Sequence, residues 1–514
     1  MPAPLYPKSI RWWPAIAIAA LMLIVLSVIW IPERPSRQMQ VMPTILVCSV
    51  GSILLCLWFF AFSRTSRKIR LRGLSILILL IILTVSLFQI RGFTGDLAPK
   101  IEWRWSSVTA ISVARQSSDG PDTDYPQFLG PHRNAILNEI KLESDWDQNP
   151  PKLLWRVPVG EAYSAFAVVG RSAVTQEQKG ENETVACYDL LTGKEKWRHS
   201  APARYETAIA GIGPRATPTI SGNRVYSFGA TGILTCLDLE TGREIWSRDT
   251  VKETNARVKE WGMSGSPLVL DDKVIVSPGG PNEQSLMAYD KETGAIIWGS
   301  GRVRAGHSSP SLASIAGMDQ ILIFNRGQVA GHDPTSGKLL WEYPWTGGMT
   351  QHVAQPILLP GDSIFVSTGY GIGSELIQIA KNSRDKFTAE RIWKSPRLKA
   401  KFANMVYKDG YIYGLDDGIL VCLDLADGQR KWKRGRYGHG QLILVDDLLL
   451  IQTESGDVVL VDASPIEHNE RARFPALGSH TWNAPTLAAP YLLVRNDREA
   501  ACYELSLANR RIDE

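Results

Sequence analysis

The stretch Leu237–Trp246, LDLETGREIW, is one copy of a pattern, D-x-x-T-G-x-x-x-W, that recurs along most of the chain. Four further copies are clear: Asp189–Trp197 (DLLTGKEKW), Asp290–Trp298 (DKETGAIIW), Asp333–Trp341 (DPTSGKLLW) and Asp424–Trp432 (DLADGQRKW). Two weaker copies end at Trp393 and run from Asp462 to Phe474. Equivalent positions are 38 to 52 residues apart, which is the length of one propeller blade.

Each repeat unit has the composition of a four-stranded sheet. In the unit that contains LDLETGREIW, the runs ATPTI, RVYSFGA and ILTCLDL alternate or are continuously apolar, which is typical of strands. The Asp and Gly then predict a turn, because Asp can bond its own backbone and Gly adopts positive φ. The Trp of the fourth strand is expected to pack between neighbouring sheets. A structural role is therefore predicted for Asp189, Trp197, Asp238, Trp246, Asp290, Trp298, Asp333, Trp341, Asp424 and Trp432.

Counting the units predicts how the ring closes. Runs that begin near Ser164, Ala216, Gly265, Ser309, Ala354, Ala403, Gly440 and Ala484 give eight units, and the last has only three strands. The isolated run Pro151–Val159, PKLLWRVPV, carries Trp155 without preceding strands and can supply the missing one. The prediction is an all-β, eight-bladed propeller over residues 151–508 that is closed by an N-terminal strand, which removes the exposed sheet edge.

The first 90 residues differ in kind, because they contain three charge-free apolar runs. We predict transmembrane helices at about residues 12–32, 41–62 and 73–90. The first run could instead be a signal peptide, but no small-residue cleavage site follows IWIPERP. Five basic residues between the second and third runs, Arg64 to Arg72, are expected to stay in the cytoplasm, which places the propeller on the periplasmic side of a multi-pass inner-membrane protein.

The remaining segments have little periodicity. Residues 91–124 are expected to form a tether, residues 125–150 to pack against the outside of the ring, and residues 509–514 to form a tail. Four cysteines (Cys187, Cys236, Cys422, Cys502) stand two residues before the acidic position of four different repeats. They are therefore interpreted as buried small hydrophobic residues in separate sheets rather than disulfide partners.

The five good copies resemble the pyrroloquinoline quinone (PQQ) enzyme-like repeat, and the resemblance covers about 360 residues. Two branches share that repeat: quinoprotein dehydrogenases, which hold PQQ and Ca²⁺, and non-catalytic relatives such as the propeller lipoprotein of outer-membrane assembly. Phrases such as GIGPRATPTISGNRVY and WNAPTL also resemble membrane-anchored propellers of planctomycete-type bacteria. The resemblance implies the fold, whereas the repeat residues themselves are explained by turns and packing.

Candidate binding residues must therefore lie outside the repeat, in the connections that lead into each innermost strand and gather at one mouth of the channel. These connections hold Tyr205, Glu206, Lys259, Glu260, Arg304, Trp345, Lys401 and Phe402. The strongest candidates there are Arg215, Trp261, His307, His352, Arg436, Tyr437, His439, His480, Trp482 and Asn483. Such residues suit a wet polar lining, a docking surface for a protein or peptide, or a small-molecule pocket with Arg for an anion and His as base. The His residues have no metal-ligand spacing.

The quinoprotein interpretation lacks several residues in the sequence. The chain has no adjacent Cys-Cys pair, no C-x-x-C-H haem motif, and no local match to the calcium ligands of those enzymes. The repeat region also has no basic tract with interleaved aromatics, so nucleic acid is not indicated. We therefore favour a non-catalytic interaction or scaffold module with a protein or peptide partner and no cofactor. The alternative is a membrane-tethered, PQQ- and Ca²⁺-dependent oxidoreductase.

Overall fold

The computed structural model describes residues 10–32, 36–106, 108–112, 120–207, 209–346 and 352–508. The chain divides into two compact units, Met1–Ser107 and Val108–Glu514. The expected tail, 509–514, lies outside the described residues.

The first unit contains three apolar helices: α1 (Trp13–Trp30), α2 (Gln38–Leu57, continued by the π-helical turn Trp58–Phe62) and α3 (Arg67–Leu87). All three are long and apolar enough to cross a membrane. Their bounds differ from the sequence prediction mainly in α3. This helix begins earlier, in the basic run, where the Ser66 side chain accepts a hydrogen bond from Ile69 N–H. It ends at Leu87, three residues before Ile90. Helices α1 and α2 are antiparallel neighbours, joined by a Trp30 Nε1–Thr44 Oγ1 hydrogen bond of 2.9 Å.

A β-hairpin directly follows α3, where the sequence suggested an irregular tether. Its strands are Phe88–Phe93 and Pro99–Trp103, and Phe88 pairs with Trp103 and Ile90 with Ile101. Since cross-strand partners and alternate residues share a face, these four apolar side chains form one face of the hairpin. The sequence did not reveal this hairpin because the alternation is short and its partner strand is needed to recognise it.

The described part of the second unit contains eight sheets of four or five strands, which confirms the eight-bladed propeller. From the innermost to the outermost strand, the blades are: blade 1, Ala167–Val169, Ser172–Lys179, Asn182–Asp189, Glu195–Pro202; blade 2, Thr219–Ser221, Arg224–Phe228, Ile233–Asp238, Glu244–Asp249; blade 3, Leu268–Leu270, Lys273–Val276, Leu286–Asp290, Ile296–Ser300; blade 4, Ser311–Ile315, Met318–Asn325, Gln328–His332, Leu339–Pro344. The others are: blade 5, Ile357–Leu359, Ser363–Thr368, Gly373–Lys381, Phe387–Ser395; blade 6, Val406–Lys408, Tyr411–Asp416, Ile419–Asp424, Arg430–Arg436; blade 7, Gln441–Val445, Leu448–Gln452, Asp457–Asp462, Glu470–Pro475; blade 8, Thr486–Ala488, Tyr491–Arg495, Glu499–Glu504, Lys152–Pro158.

Minor elements complete the unit. A short helix, α4 (Thr250–Thr254), follows blade 2, and Glu206–Thr207 pairs with Gly211–Ile212 between blades 1 and 2. Ile111–Ser112, within the expected tether, adds a strand outside Lys152–Pro158.

Lys152–Pro158 closes the ring as the sequence predicted. It pairs antiparallel with Glu499–Glu504 and places Trp155 opposite Cys502. Each of the other three buried cysteines likewise stands opposite the repeat Trp of its own sheet: Cys187 opposite Trp197, Cys236 opposite Trp246, and Cys422 opposite Trp432. The four thiols are thus packing groups in four different blades.

The repeat residues act together across blade boundaries. Asp238 Oδ1 accepts hydrogen bonds from the N–H (2.9 Å) and hydroxyl (2.7 Å) of Thr241, which builds the turn. Gly242 follows with φ of +70°, and a Cβ there would lie 2.4 Å from the indole of Trp197 in the preceding blade. That indole donates through Nε1 to the carbonyl of Leu239 at 2.8 Å. Trp and turn therefore join blade 1 to blade 2, and a repeat Gly packs against a repeat Trp in the same way at four other blade boundaries.

A belt of hydrogen bonds links the eight innermost strands. At each boundary, a side chain next to one inner strand bonds the backbone of the neighbouring blade. The bonds are Ala165 N to Thr217 Oγ1 (3.3 Å), Thr217 N to Ser266 Oγ (2.9 Å), Ser266 N to Ser309 Oγ (2.8 Å), Ser309 N to Gln355 Oε1 (3.0 Å), Gln355 N to Asn404 Oδ1 (3.0 Å), Asn404 N to Gln441 Oε1 (3.3 Å), Gln441 Nε2 to Trp482 O (3.3 Å) and Asn483 Nδ2 to Ser164 O (2.7 Å). Buried backbone groups at the channel are thereby satisfied.

Residues 125–150 cross the ring near its axis, although the sequence suggested packing on the outside. Tyr125 bonds Val168 of blade 1, and the Pro126 carbonyl accepts from Ile220 N–H of blade 2 at 2.8 Å. The buried Arg133 donates to the carbonyls of Ser266 and Pro267, and Ile136–Leu137 pairs in parallel with blade 7. The innermost strands leave unpaired edges along the channel, and this crossing segment pairs with some of them.

Candidate functional site

The connections into the innermost strands converge on a cavity of about 130 Å³ at the ring axis. It is lined by Phe128, Tyr163, Ala165, Arg215, Thr217, Trp261, Ser264, His307, Val353, Phe402, Asn404, Gln441, Trp482 and Ala484. Phe128 belongs to the crossing segment, which bonds the C-terminal ends of the inner strands and so closes the cavity at that end. The mouth lies at the opposite end, where the connections enter.

Four aromatic side chains from different blades form the wall of this mouth, and we call them the aromatic cup: Tyr163, Trp261, Phe402 and Trp482. The Trp482 ring centroid lies 5.1 Å from that of Tyr163 and 5.3 Å from that of Phe402. Phe402 in turn lies 6.2 Å from Trp261. Trp482 Nε1 donates to Glu454 at 2.9 Å, which fixes the orientation of its indole. The cup is therefore a continuous apolar surface on rigid supports.

Arg215 places a fixed positive charge beside the cup. Its guanidinium lies 5.2 Å from the ring centroid of Tyr163 and 5.3 Å from that of Tyr205. It also donates to the carbonyls of Gly213, at 2.9 Å, and Ala210. Burial lowers the pKa of Arg215 below its ordinary value, although an arginine stays charged in proteins. The charge is held by ring faces and carbonyl dipoles, so it remains available to an anionic group.

His307 lines the cavity on the side of blade 4. Its Nδ1 lies 2.7 Å from Ser264 Oγ, and its backbone N–H donates to the His352 carbonyl at 2.7 Å. Burial, and then the nearby charge of Lys259, hold the pKa of His307 well below 6.5. The imidazole is therefore neutral near pH 7 and acts as a polar wall rather than as a second cation.

Four of the ten predicted residues line the cavity: Arg215, Trp261, His307 and Trp482. Three more are buried behind it. His352 packs on Phe324 with ring centroids 4.6 Å apart, and His439 and His480 lie behind Phe402 and Trp482 at 5.4 and 4.6 Å. These imidazoles support the aromatic walls, and they do not converge on one point.

The remaining three residues serve other purposes. The Tyr437 hydroxyl lies 2.8 Å from both His468 Nε2 and Glu470 Oε2, towards the outer strand of blade 7. Arg436 is exposed at the end of the outer strand of blade 6. Asn483 is buried in the belt of hydrogen bonds. The sequence did not predict three residues that line the cavity, Tyr163, Ser264 and Phe128. Tyr163 precedes the first blade, where no earlier repeat marks a connection, although its place before an inner strand was a usable signal.

The lining of the cavity bears on whether it could hold the PQQ and Ca²⁺ of the enzyme branch. Ca²⁺ takes six to eight oxygen ligands and favours carboxylates, yet no Asp or Glu is among the described residues that line the cavity. Its volume of about 130 Å³ is below the range of roughly 300–1,000 Å³ that is typical of cofactor pockets. The residues present do not fit a calcium–quinone site.

Comparison with known proteins gives the same family as the fold. Residues 181–434 match the family model described as outer membrane protein assembly factor BamB. The chain is 21% identical to BamB of Moranella endobia over 256 residues, which cover 48% of this chain and 64% of that protein. It is 23% identical to BamB of Shewanella oneidensis over 333 residues, covering 53% and 78%. It is also 32% identical to quinohemoprotein alcohol dehydrogenase ADH IIB of Pseudomonas putida over 120 residues, covering only 22% of this chain and 17% of that enzyme.

Two solved structures show the same architecture. BamB from Moraxella catarrhalis has a TM-score of 0.50 at 15% identity, over 70% of this chain and 99% of that one. Quinohemoprotein alcohol dehydrogenase from Comamonas testosteroni has a TM-score of 0.54 at 14% identity, over 78% and 83%. At these identities the likeness concerns the fold alone. The chain belongs to the PQQ-like repeat β-propeller family, and within it the repeats match the BamB model.

Proposed function

We propose that this protein is a membrane-anchored, non-catalytic interaction module whose partner is a protein or peptide bound at the channel mouth. The observation that carries the proposal is the aromatic cup beside Arg215, because Trp, Tyr and Arg are the residues that most often anchor protein interfaces. The cup is closed at its inner end, so it suits a side chain that enters from the mouth. The relatives named as assembly factors are consistent with such a role.

The proposed location is the inner membrane, with the propeller on the periplasmic side. The basic residues around the start of α3 favour a cytoplasmic loop there, and three crossings then place the second unit outside. An ion pair of 3.8 Å between Arg37, just before α2, and Asp96, at the tip of the hairpin, supports this arrangement. It brings the hairpin to the end of the helices where α2 begins and α3 ends, away from the basic loop.

Site-specific photocrosslinking tests the proposal. A photoreactive amino acid replaces Trp261 at the mouth or, as a control, the exposed Ile392 on the outer strand of blade 5. We expect a defined protein crosslink in intact cells at position 261 and none at 392. Adding Trp482→Ala should reduce the crosslink while the melting temperature stays within a few degrees, because Trp482 lines the mouth and is not part of the repeat.

A second arm addresses the enzyme alternative. The purified full chain is titrated with PQQ and Ca²⁺ while its melting temperature is followed, since a ligand that binds only the native state must raise stability. We expect no shift. A stoichiometric, Ca²⁺-dependent stabilisation would replace the interaction module by a quinoprotein, and the absence of any crosslink at position 261 would remove the docking role.

A further inference from the structure

A second cavity of about 540 Å³ adjoins the aromatic cup and shares Trp261 and His307 with it. Two connections between blades, a loop and a turn form its walls. They are residues 255–261 after α4, the loop around Gly279 in blade 3, the connection from Arg302 to His307, and Arg326 in blade 4. The cavity lies off the ring axis, between blades 3 and 4, and opens on the same side as the mouth.

Five cationic side chains line this second cavity, which we call the basic cleft: Arg257, Lys259, Arg302, Arg304 and Arg326. One carboxylate, that of Glu260, lines it as well. Of these cations, Arg302 alone has an acidic partner among the residues that the structure describes, Glu283 at 2.5 Å. Within the described residues, Arg257, Arg304 and Arg326 form no ion pair. Among the described residues, the cleft therefore holds more positive than negative charge.

Lys259 shows the combined effect of burial and of this crowding. Its ammonium donates to the carbonyl of Gly306 and is half-buried. Burial, and then the charge of Arg326, lower the pKa of Lys259 to about 7. Like charges held together in this way repel one another and weaken the native state. An anion in the cleft relieves that repulsion, which is the physical basis for binding.

The two cavities together define the chemistry of the ligand. Guanidinium groups bind carboxylates through paired hydrogen bonds, and the cup next to them is apolar. Because the cavities share Trp261 and His307, neighbouring residues of one extended segment can reach both. A segment with an aromatic or large apolar residue beside two or more Asp or Glu residues fits both surfaces at once.

Resting on the proposed function, we propose that the basic cleft binds the carboxylates of an acidic polypeptide segment whose adjacent apolar side chain occupies the aromatic cup. The cleft then sets which partner is selected and raises the rate of encounter, as complementary charge does at interfaces. Arg304 and Arg326 are the selecting residues, since neither is engaged elsewhere by a described residue.

The test uses the full chain in detergent and a randomised heptapeptide library. We expect selected peptides to be enriched in Asp and Glu next to Trp or Phe. The double variant Arg304→Glu/Arg326→Glu should lose the acidic enrichment and keep the aromatic one, and binding of a selected peptide should weaken about tenfold or more. The control Arg384→Glu, which changes an exposed cation on another blade, should leave selection and affinity unchanged.

Several outcomes overturn the inference. One is a library without acidic enrichment, another is equal weakening by Arg384→Glu, and a third is competition by inorganic phosphate as strong as that by the selected peptide. Different results decide whether the proposed docking role itself stands. If the crosslink at position 261 persists in Arg304→Glu/Arg326→Glu, the docking role stands and the cleft has no part in it. If wild type gives no crosslink, the docking role itself falls.

Discussion

At the scale of single residues, the repeat glycine is set by its contact with the preceding blade rather than by its turn alone. Gly193, Gly242, Gly294, Gly337 and Gly428 all have positive φ, and a Cβ at each would lie within 3.0 Å of a repeat Trp ring. A turn by itself would tolerate Asn at such a position. The indole of the neighbouring blade removes that freedom, which explains why the pattern retains glycine.

We expect Gly242→Ala to destabilise the propeller more than Gly222→Ala. Both residues have positive φ, of +70° and +55°, so each substitution carries the left-handed cost of roughly 1–2 kcal/mol. A Cβ at Gly242 also meets Trp197, whereas nothing lies within 4 Å of one at Gly222. This overpacking at Gly242 lowers the free energy of unfolding by about a further 1–3 kcal/mol. Thermal unfolding of the full chain compares them, and equal melting temperatures would contradict the packing argument.

At the scale of elements, the hairpin after α3 presents an exposed apolar face. Phe88, Ile90, Ile101 and Trp103 are 38%, 64%, 63% and 45% exposed, and the opposite face carries the ion pair Lys100–Glu102. An isolated two-stranded hairpin is only marginally stable in water. Since the hairpin directly follows a helix that is long and apolar enough to span a membrane, the headgroup region, where Trp residues concentrate, is the environment that suits this face.

Labelling of adjacent residues on the two faces tests this placement. In a variant without its native cysteines, an environment-sensitive fluorophore is attached at Ile101→Cys or at Glu102→Cys, and the protein is reconstituted in liposomes. We expect a blue-shifted emission that spin-labelled lipids quench at position 101, and no quenching by these lipids at position 102, whose side chain is only 15% exposed. An absence of lipid quenching at both positions would place the hairpin away from the membrane.

At the scale of the whole molecule, closure of the ring depends on a buried charge at the junction of blades 8 and 1. Arg495, 1% exposed, donates to Thr175 Oγ1 at 2.7 Å, to the Gln176 carbonyl at 3.0 Å and to the Gly160 carbonyl at 2.9 Å. Glu177 lies beside it and supplies the compensating charge. The last blade and the first are thus joined by charge-assisted hydrogen bonds as well as by the closing strand.

Replacing Arg495 by Met should therefore lower the free energy of unfolding of the propeller. Removing one member of a buried charge network costs about 3–5 kcal/mol, because its partners stay buried without it. The control Arg471→Met removes an ion pair with Asp462 whose Arg side chain is half exposed, and should cost less than about 1 kcal/mol. Urea unfolding of the full chain followed by near-ultraviolet circular dichroism compares the two midpoints. Similar shifts of the two urea midpoints would show that Arg495 contributes no more to stability than an exposed ion pair does.

The sequence by itself determined the repeat, the number of blades, the closing strand and the three apolar helices. These are local or periodic properties: an Asp that bonds its own turn, a Trp at a fixed spacing, and apolar runs of sufficient length. Part of the mouth could also be predicted from the sequence. Its residues Arg215, Trp261, His307 and Trp482 stand at the same place in their repeats, before an inner strand.

Only the tertiary structure decided which mouth residues face the cavity. Arg436, Tyr437 and Asn483 lie within a few residues of inner strands, yet they point to the outer strands or into the belt. Three other features could not be predicted from the sequence. They are the route of residues 125–150 across the axis, the grouping of Arg257, Arg304 and Arg326, and the apolar face of the hairpin. Each depends on contacts between residues far apart in sequence, and no local periodicity records which distant edge or charge a segment will meet.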